Sequence, residues 1–175
     1  MSFSVSGFKS EVATQGFLRP SNYDVMIYAP VSGLEHVRLR TESVSAPGAA
    51  FLSVDGYRPY STGKIYNIPY AYNPQSITCI HTIDGNANLY QSFWNWLDLI
   101  GDLSGEHKHA ANYFDEFKGE MLIRIKEPSG GPVKLISLRE VYPETIDQMQ
   151  LSWASADEIV KLSVTYRYTN FRMLS

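Results

Sequence analysis

Cysteine and long apolar runs are both scarce in this sequence. Cys79 is the only cysteine among 175 residues, so no intrachain disulfide can form, which suits synthesis in a reducing compartment. No apolar run approaches the roughly 18 residues that a transmembrane helix needs, and no basic segment followed by an apolar stretch stands at the start. We therefore expect a soluble protein that is made in the cytoplasm and does not insert into a membrane.

The sequence also lacks a large excess of either positive or negative charge. The formal net charge is −3 and 19% of residues are charged, which argues against the strongly basic surface that tight nucleic-acid binding requires. Aromatic side chains are abundant instead, with 12 Tyr, 8 Phe and 3 Trp, and the hydrophobic fraction is 44%. This composition favours β-sheets and extended contact surfaces. The length predicts a single domain, residues 1–175.

Motifs for catalysis or metal binding are few. Residues 56–64 superficially resemble a phosphate-binding loop, but the spacing is wrong and a strand, not a helix, is predicted to follow. His107 and His109 would need two further ligands to hold a metal, so a solvated loop is the simpler interpretation. Cys79 and His81 could pair as nucleophile and base, yet a buried structural thiol explains Cys79 better. We expect no enzymatic activity, no cofactor and no metal.

Alternating apolar and polar residues predict roughly six or seven strands. The clearest runs from Val160 to Thr169, where apolar or aromatic residues hold every even position and polar residues every odd one. Such a strand has one buried face and one wet face. The predicted strands cover 23–28, 34–44, 64–72, 75–83, 121–126, 132–142 and 160–171.

Two other segments have distinct patterns. Residues 87–103 predict a helix that packs one apolar stripe against the sheets, formed by Leu89, Phe93, Trp96, Leu97 and Ile100. Residues 46–62 contain Pro, Gly and large apolar side chains without a period, which predicts a long ordered loop with a function. Residues 1–18 show no clear period and are interpreted as an N-terminal arm. The fold expected is mainly β, an antiparallel sandwich or barrel with one flanking helix.

The order of short motifs resembles contractile phage tail tube proteins. Residues 142–153 have an aromatic-proline pair and then an apolar-Gln-Leu-x-Trp segment, followed by the acidic loop 154–158 and the amphipathic strand. Residues 16–25 are similar to the family's Phe-x-Arg-Pro-Asn-x-Phe-x-Val start of its first strand. Residues 41–48 are similar to the segment that leads into the family's long loop. The resemblance covers both ends of the chain and the order of its elements.

This resemblance implies a structural protein of the virion tail, related to the tubes of pyocins and type VI secretion. Hexameric rings of such proteins join their sheets around a lumen and stack into a tube through which DNA passes. Sheath, baseplate and tail terminator proteins would be its partners. The long loop would contact the adjacent ring through Pro47, Phe51, Leu52, Val54, Tyr57 and Tyr60.

Two alternatives stay open. A baseplate tube initiator would share the fold and differ in which axial face stacks. An unrelated small β-barrel binding domain would need a converging polar cluster, which the sequence does not offer.

Overall fold

The computed structural model describes residues 4–15, 20–57, 66–103, 105, 112–127, 132–152 and 158–174. His107, His109 and Tyr60 lie outside this part. Its helices are α1 (Val5–Gln15), α2 (Val37–Arg40), α3 (Asn88–Gly101) and α4 (Phe114–Phe117). Its strands are β1 (Tyr23–Tyr28), β2 (Thr41–Val44), β3 (Ala49–Tyr57), β4 (Tyr66–Pro74), β5 (Ile77–Thr82), β6 (Gly119–Lys126), β7 (Pro132–Ile146), β8 (Lys161–Arg167) and β9 (Asn170–Leu174).

Two antiparallel sheets share the long strand β7. The first half of β7 lies between β6 and β9, and β1 completes this first sheet. The second half pairs with β8, which leads to β5 and β2 in the second sheet. The expectation of a mainly antiparallel β fold with a helix beside it is confirmed. In the described part no backbone ladder joins β1 to β2, so the strands do not form a closed barrel.

Strand β7 passes from one sheet to the other at a bulge. Glu140 has φ = 55° and is skipped in the register, because Gly119 lies opposite Val141 while Glu120 lies opposite Arg139. An extra residue of this kind bends a strand and increases its twist. Gly119 is fixed at the bend, since a Cβ there would meet the carbonyl oxygen of Tyr28 and the ring of Trp96.

The core forms where the inner faces of the two sheets meet α3. Alternate residues of β8 are buried, namely Leu162, Val164 and Tyr166, as the sequence pattern predicts. Their partners across the ladder, His81, Cys79 and Ile77, are equally buried. The predicted strand 160–171 is divided in the structure into β8 and β9.

Helix α3 begins after a carboxylate cap. The Asp84 carboxylate accepts hydrogen bonds from the backbone N–H of Asn88 (3.2 Å) and Leu89 (3.1 Å). These bonds lower the pKa of Asp84, and they satisfy two amides that a helix start leaves unpaired. In the apolar stripe Leu89, Phe93 and Trp96 are buried, while Leu97 and Ile100 are partly exposed.

The prediction of a strand over 34–44 was wrong. The chain makes the short helix α2 and only then the strand β2. Val37 is buried and Leu39 is 84% exposed, so the two do not share a face as strand alternation would require. The Thr41 hydroxyl donates to the carbonyl of Val37 (2.8 Å) and closes this turn, a local bond that competes with an extended strand.

Two more segments are more regular than expected. The arm contains α1, whose apolar residues Val5, Phe8 and Val12 lie at helical spacing that the Ser and Gly residues conceal. The prediction of a long loop over 46–62 was wrong, because most of this segment is the strand β3, which pairs with β4. Apolar side chains on both faces of β3 hide the period of two that identifies a strand.

Candidate assembly interface

Strands β3 and β4 form a separate two-stranded ribbon, Ala49–Tyr57 with Tyr66–Pro74. Within the described part they pair with each other and with no other strand, and their contacts are mainly mutual. The ribbon therefore extends away from the two sheets. An isolated pair of strands is at best marginally stable in water.

Large apolar side chains of the ribbon are exposed to solvent. They are between 38% and 68% exposed and comprise Phe51, Leu52, Val54, Ile68, Tyr70 and Tyr72. A concentration of exposed apolar groups of this kind marks an interaction site in a soluble protein.

The ribbon presents these groups on both of its faces. Phe51 lies opposite Tyr72, with ring centroids 6.1 Å apart, whereas Val54 lies opposite Ile68. Phe51 and Val54 are three residues apart on one strand, so they point to opposite faces. A bulge at Tyr70 shifts the register between the two pairs. Phe51 on one face and Val54 on the other remain more than half exposed, so both faces offer apolar groups to a partner.

The structure brings together part of the predicted contact set. Phe51, Leu52 and Val54 are exposed on β3, and half-buried Pro47 precedes it. Tyr57 ends β3. Sequence reasoning missed the contribution of β4, because Ile68, Tyr70 and Tyr72 were predicted to share one face of the strand 64–72 and were not included in the contact set. The bulge at Tyr70 puts Ile68 and Tyr72 on opposite faces, and the alternation of the sequence does not reveal it.

The base of the ribbon is anchored to the main body. The Tyr168 hydroxyl donates to the carbonyl of Gly48 (3.1 Å), and its burial, aided by Tyr72, raises the pKa of Tyr168 to about 12. Ser45 and Thr78 exchange bonds, Ser45 N–H to Thr78 O at 3.0 Å and Thr78 N–H to Ser45 Oγ at 2.8 Å. The ribbon thus leaves the body at a defined place.

The buried polar residues are arranged for structure. Burial raises the pKa of the Cys79 thiol to about 12, so the nucleophilic thiolate is not available at neutral pH. Burial lowers the pKa of His81 to about 4, and its ring nitrogens face the Thr41 hydroxyl (3.1 Å) and the Tyr166 hydroxyl (3.2 Å). Among the described residues no three His, Cys, Asp or Glu side chains group to hold a metal. None of the described helices has the length and apolar character to cross a bilayer.

The sequence model of the phage tail tube protein family matches residues 18–174. The chain belongs to this family. Its role is that of a structural protein of a tail tube, which agrees with the exposed ribbon and with the family predicted from the sequence. No protein of curated function matches the chain significantly in sequence.

Solved structures share the fold across nearly the whole chain. A chain of the sheath-tube complex of the extracellular contractile injection system PVC, in its extended state, is 16% identical with a TM-score of 0.66 and coverage of 99% of both chains. A chain of the tube-terminating cap of the anti-feeding prophage is 15% identical with a TM-score of 0.66, covering 100% of this chain and 96% of that one. A chain of the six-fold symmetrised baseplate of the same prophage is 14% identical with a TM-score of 0.65, covering 88% and 93%.

Proposed function

We propose that the chain forms hexameric rings that stack into the inner tube of a contractile phage tail. The observation that carries this proposal is the ribbon, whose apolar residues are exposed on both faces and which belongs to a chain of the tail tube family. Pairing of sheet edges between copies would form each ring, because cyclic closure limits that pairing to a closed set of copies. The similar chain from the anti-feeding prophage belongs to a six-fold symmetrised assembly, which supports six copies.

The lumen of this tube would conduct DNA. The net charge of −3 shows no excess of positive charge for holding phosphates, so we expect DNA to pass without being retained. Sheath, baseplate and terminator proteins are the partners that we propose for the outside and the two ends of the tube. Support comes from the assemblies that hold the similar chains, a sheath-tube complex, a baseplate and a tube-terminating cap.

Within this tube the ribbon would join rings along the axis. We expect Phe51→Ser combined with Leu52→Ser to leave single rings intact and to stop tube growth, because both side chains are exposed in the single chain. Leu39→Ser is the matched control, since Leu39 is an exposed apolar residue of α2, outside the ribbon.

Light scattering together with negative-stain microscopy of concentrated protein tests both statements. Rings and tubes support the proposal, and a species with the mass of one chain at every concentration and salt contradicts it. Long tubes from the double variant, or its dissociation to monomers, would show that the ribbon does not join rings.

A baseplate tube initiator is the second candidate. The likeness to a baseplate chain favours it, at a TM-score of 0.65. An initiator would form a ring on which another protein polymerises. The same micrographs separate the two roles, because only a tube protein grows into long tubes by itself.

A further inference from the structure

The two sheets have four edges, and edges are places where foreign strands can add. The first sheet ends at β1 and β9. The second sheet ends at β2 and at the second half of β7, from Tyr142 to Ile146. Soluble proteins protect such edges with covering elements, bulges, proline or charged residues. The four edges differ in this respect.

The β1 and β2 edges protect each other. The Tyr23 hydroxyl donates to the carbonyl of Glu42, which joins the two strands. Arg38 of α2 pairs with Asp24 of β1 at 2.9 Å, and α2 packs beside β1. Strand β2 is in addition only four residues long, with a register shift between Thr41 and Ser43.

The second half of β7 is protected by its own sequence and by α4. Pro143 has no N–H to offer to a further strand, and the register shifts between Pro143 and Thr145. The rings of Phe117 and Phe114 pack edge-on against Tyr142, with centroids 5.6 and 6.0 Å away.

The β9 edge has one exposed charged side chain, Arg172, and lacks the other devices. Its five residues pair with β7 in unbroken register and include no proline, and no described strand lies on its other side. Met173 lies opposite Ile136, which is only 2% exposed, so both side chains are on the core face of the sheet. Met173 is nevertheless 64% exposed and Leu174 46%. Apolar side chains are therefore left exposed at this edge.

We propose that the β9 edge binds the ribbon of a second copy as an added strand. The ribbon needs a third strand, both of its outer edges are unpaired in the described part, and each of its strands has nine residues against five in β9. Backbone hydrogen bonds would supply affinity, and apolar ribbon residues would cover Met173. This inference rests on the proposed function, in which the second copy belongs to the adjacent ring.

Within the described residues, no strand of the chain itself pairs with the outer side of this edge. The ribbon begins close to β9, because Tyr168 bonds Gly48 and its ring lies 6.1 Å from that of Phe171. Even so, β3 and β4 pair with each other and not with β9. The outer edges of the ribbon and of β9 thus remain unpaired in the described part and can pair with those of a second copy.

Thiol crosslinking between two single variants tests the contact. A tagged Ser53→Cys chain, with the thiol on the ribbon, is mixed with an untagged Arg172→Cys chain, with the thiol on β9, and a short bismaleimide is added after assembly. Cys79 is fully buried and contributes little background. We expect a tagged–untagged dimer as the main product. Ser43→Cys, at the protected β2 edge, replaces Arg172→Cys in the control and should give little of it.

Microscopy of the same samples separates this inference from the proposed function. Dimers with tubes support both, and dimers without tubes support the β9 contact while contradicting the tube. Tubes without dimers contradict the β9 contact alone, and the absence of both products contradicts both. In the double variant Ser53→Cys/Arg172→Cys, a crosslink confined to one chain would show that the ribbon folds onto its own β9, which overturns the inference.

A substitution at the edge gives an independent test. Met173→Lys places a charge where natural sheets use lysine to prevent strand addition. We expect loss of tube growth with single rings retained, and an unchanged unfolding midpoint of the monomer, because Met173 is largely exposed. Leu39→Lys is the control and should assemble normally. Normal assembly of Met173→Lys would contradict the proposal.

Discussion

Two groups of aromatic residues in this protein differ in burial. In the core, the rings of His81, Phe93, Trp96 and Tyr166 are fully buried and lie 5.1 to 6.5 Å from their neighbours. In the ribbon, the Phe51 and Tyr72 rings make one such contact but remain exposed. The two regions have similar residue types and similar ring geometry, and they differ only in whether the chain itself covers them.

The polar atoms show the same contrast. Among the described side chains, no buried nitrogen or oxygen lacks a hydrogen-bond partner. The core is therefore complete within one chain, and changes there should act on folding. The ribbon and the β9 edge are incomplete within one chain, so changes there should act on assembly.

The largest effect is expected for Trp96→Ala. Emptying a buried aromatic site costs about 3–5 kcal/mol, and here the change also removes the 2.7 Å hydrogen bond from the indole N–H to the carbonyl of Phe117. Trp94→Ala, at a 39% exposed position of the same helix, should cost less than about 1 kcal/mol. Urea unfolding of dilute monomer measures both. Equal losses in the two variants would mean that α3 does not pack as described.

The helix and the closing strands were predictable because their signals are local. The helical spacing of Leu89, Phe93 and Trp96, and the alternation of Leu162, Val164 and Tyr166, each require a single buried face. α2 was not predictable in this way. Its residues alternate in the way expected of a strand, and the bond from Thr41 to Val37 that closes the turn leaves no periodic pattern in the sequence.

A smaller effect is expected from acid, through His81. The unfolded state protonates this ring below about pH 6.5, whereas the folded state resists protonation until its pKa of about 4. The unfolded state thus binds more protons in this window, and stability falls as the pH falls. The loss approaches about 3 kcal/mol at the lower end.

His81→Gln is the control for this titration. The variant is expected to be less stable at neutral pH, because it loses the stacking of His81 on Phe93 (5.1 Å). Its free energy of unfolding should nevertheless change less than that of the unsubstituted protein between pH 6.5 and 4. Parallel curves for the two proteins would show that other groups cause the acid sensitivity.

The proposed assembly sites were only partly predictable. Phe51, Leu52 and Val54 were identified because their apolar content exceeds what a solvated loop needs. The role that we propose for β9 could not be predicted, since whether a strand lies at an edge depends on the order of strands in the sheet. Met173 has the alternation of a core residue, and only the sheet order shows that nothing in the described part covers it.

The smallest effect on monomer stability is expected for the double variant Phe51→Ser/Leu52→Ser, the change that should stop tube growth. Both residues are exposed in the single chain, so their loss should alter the free energy of unfolding of dilute monomer by no more than about 0.5 kcal/mol. The competing explanation is that both side chains fold back and plug one end of their own sheets. In that case the variant would unfold at clearly lower urea before any assembly step is affected. An unchanged urea midpoint together with lost tubes would show that the ribbon makes contacts between copies. A lowered midpoint would show that it packs within its own chain.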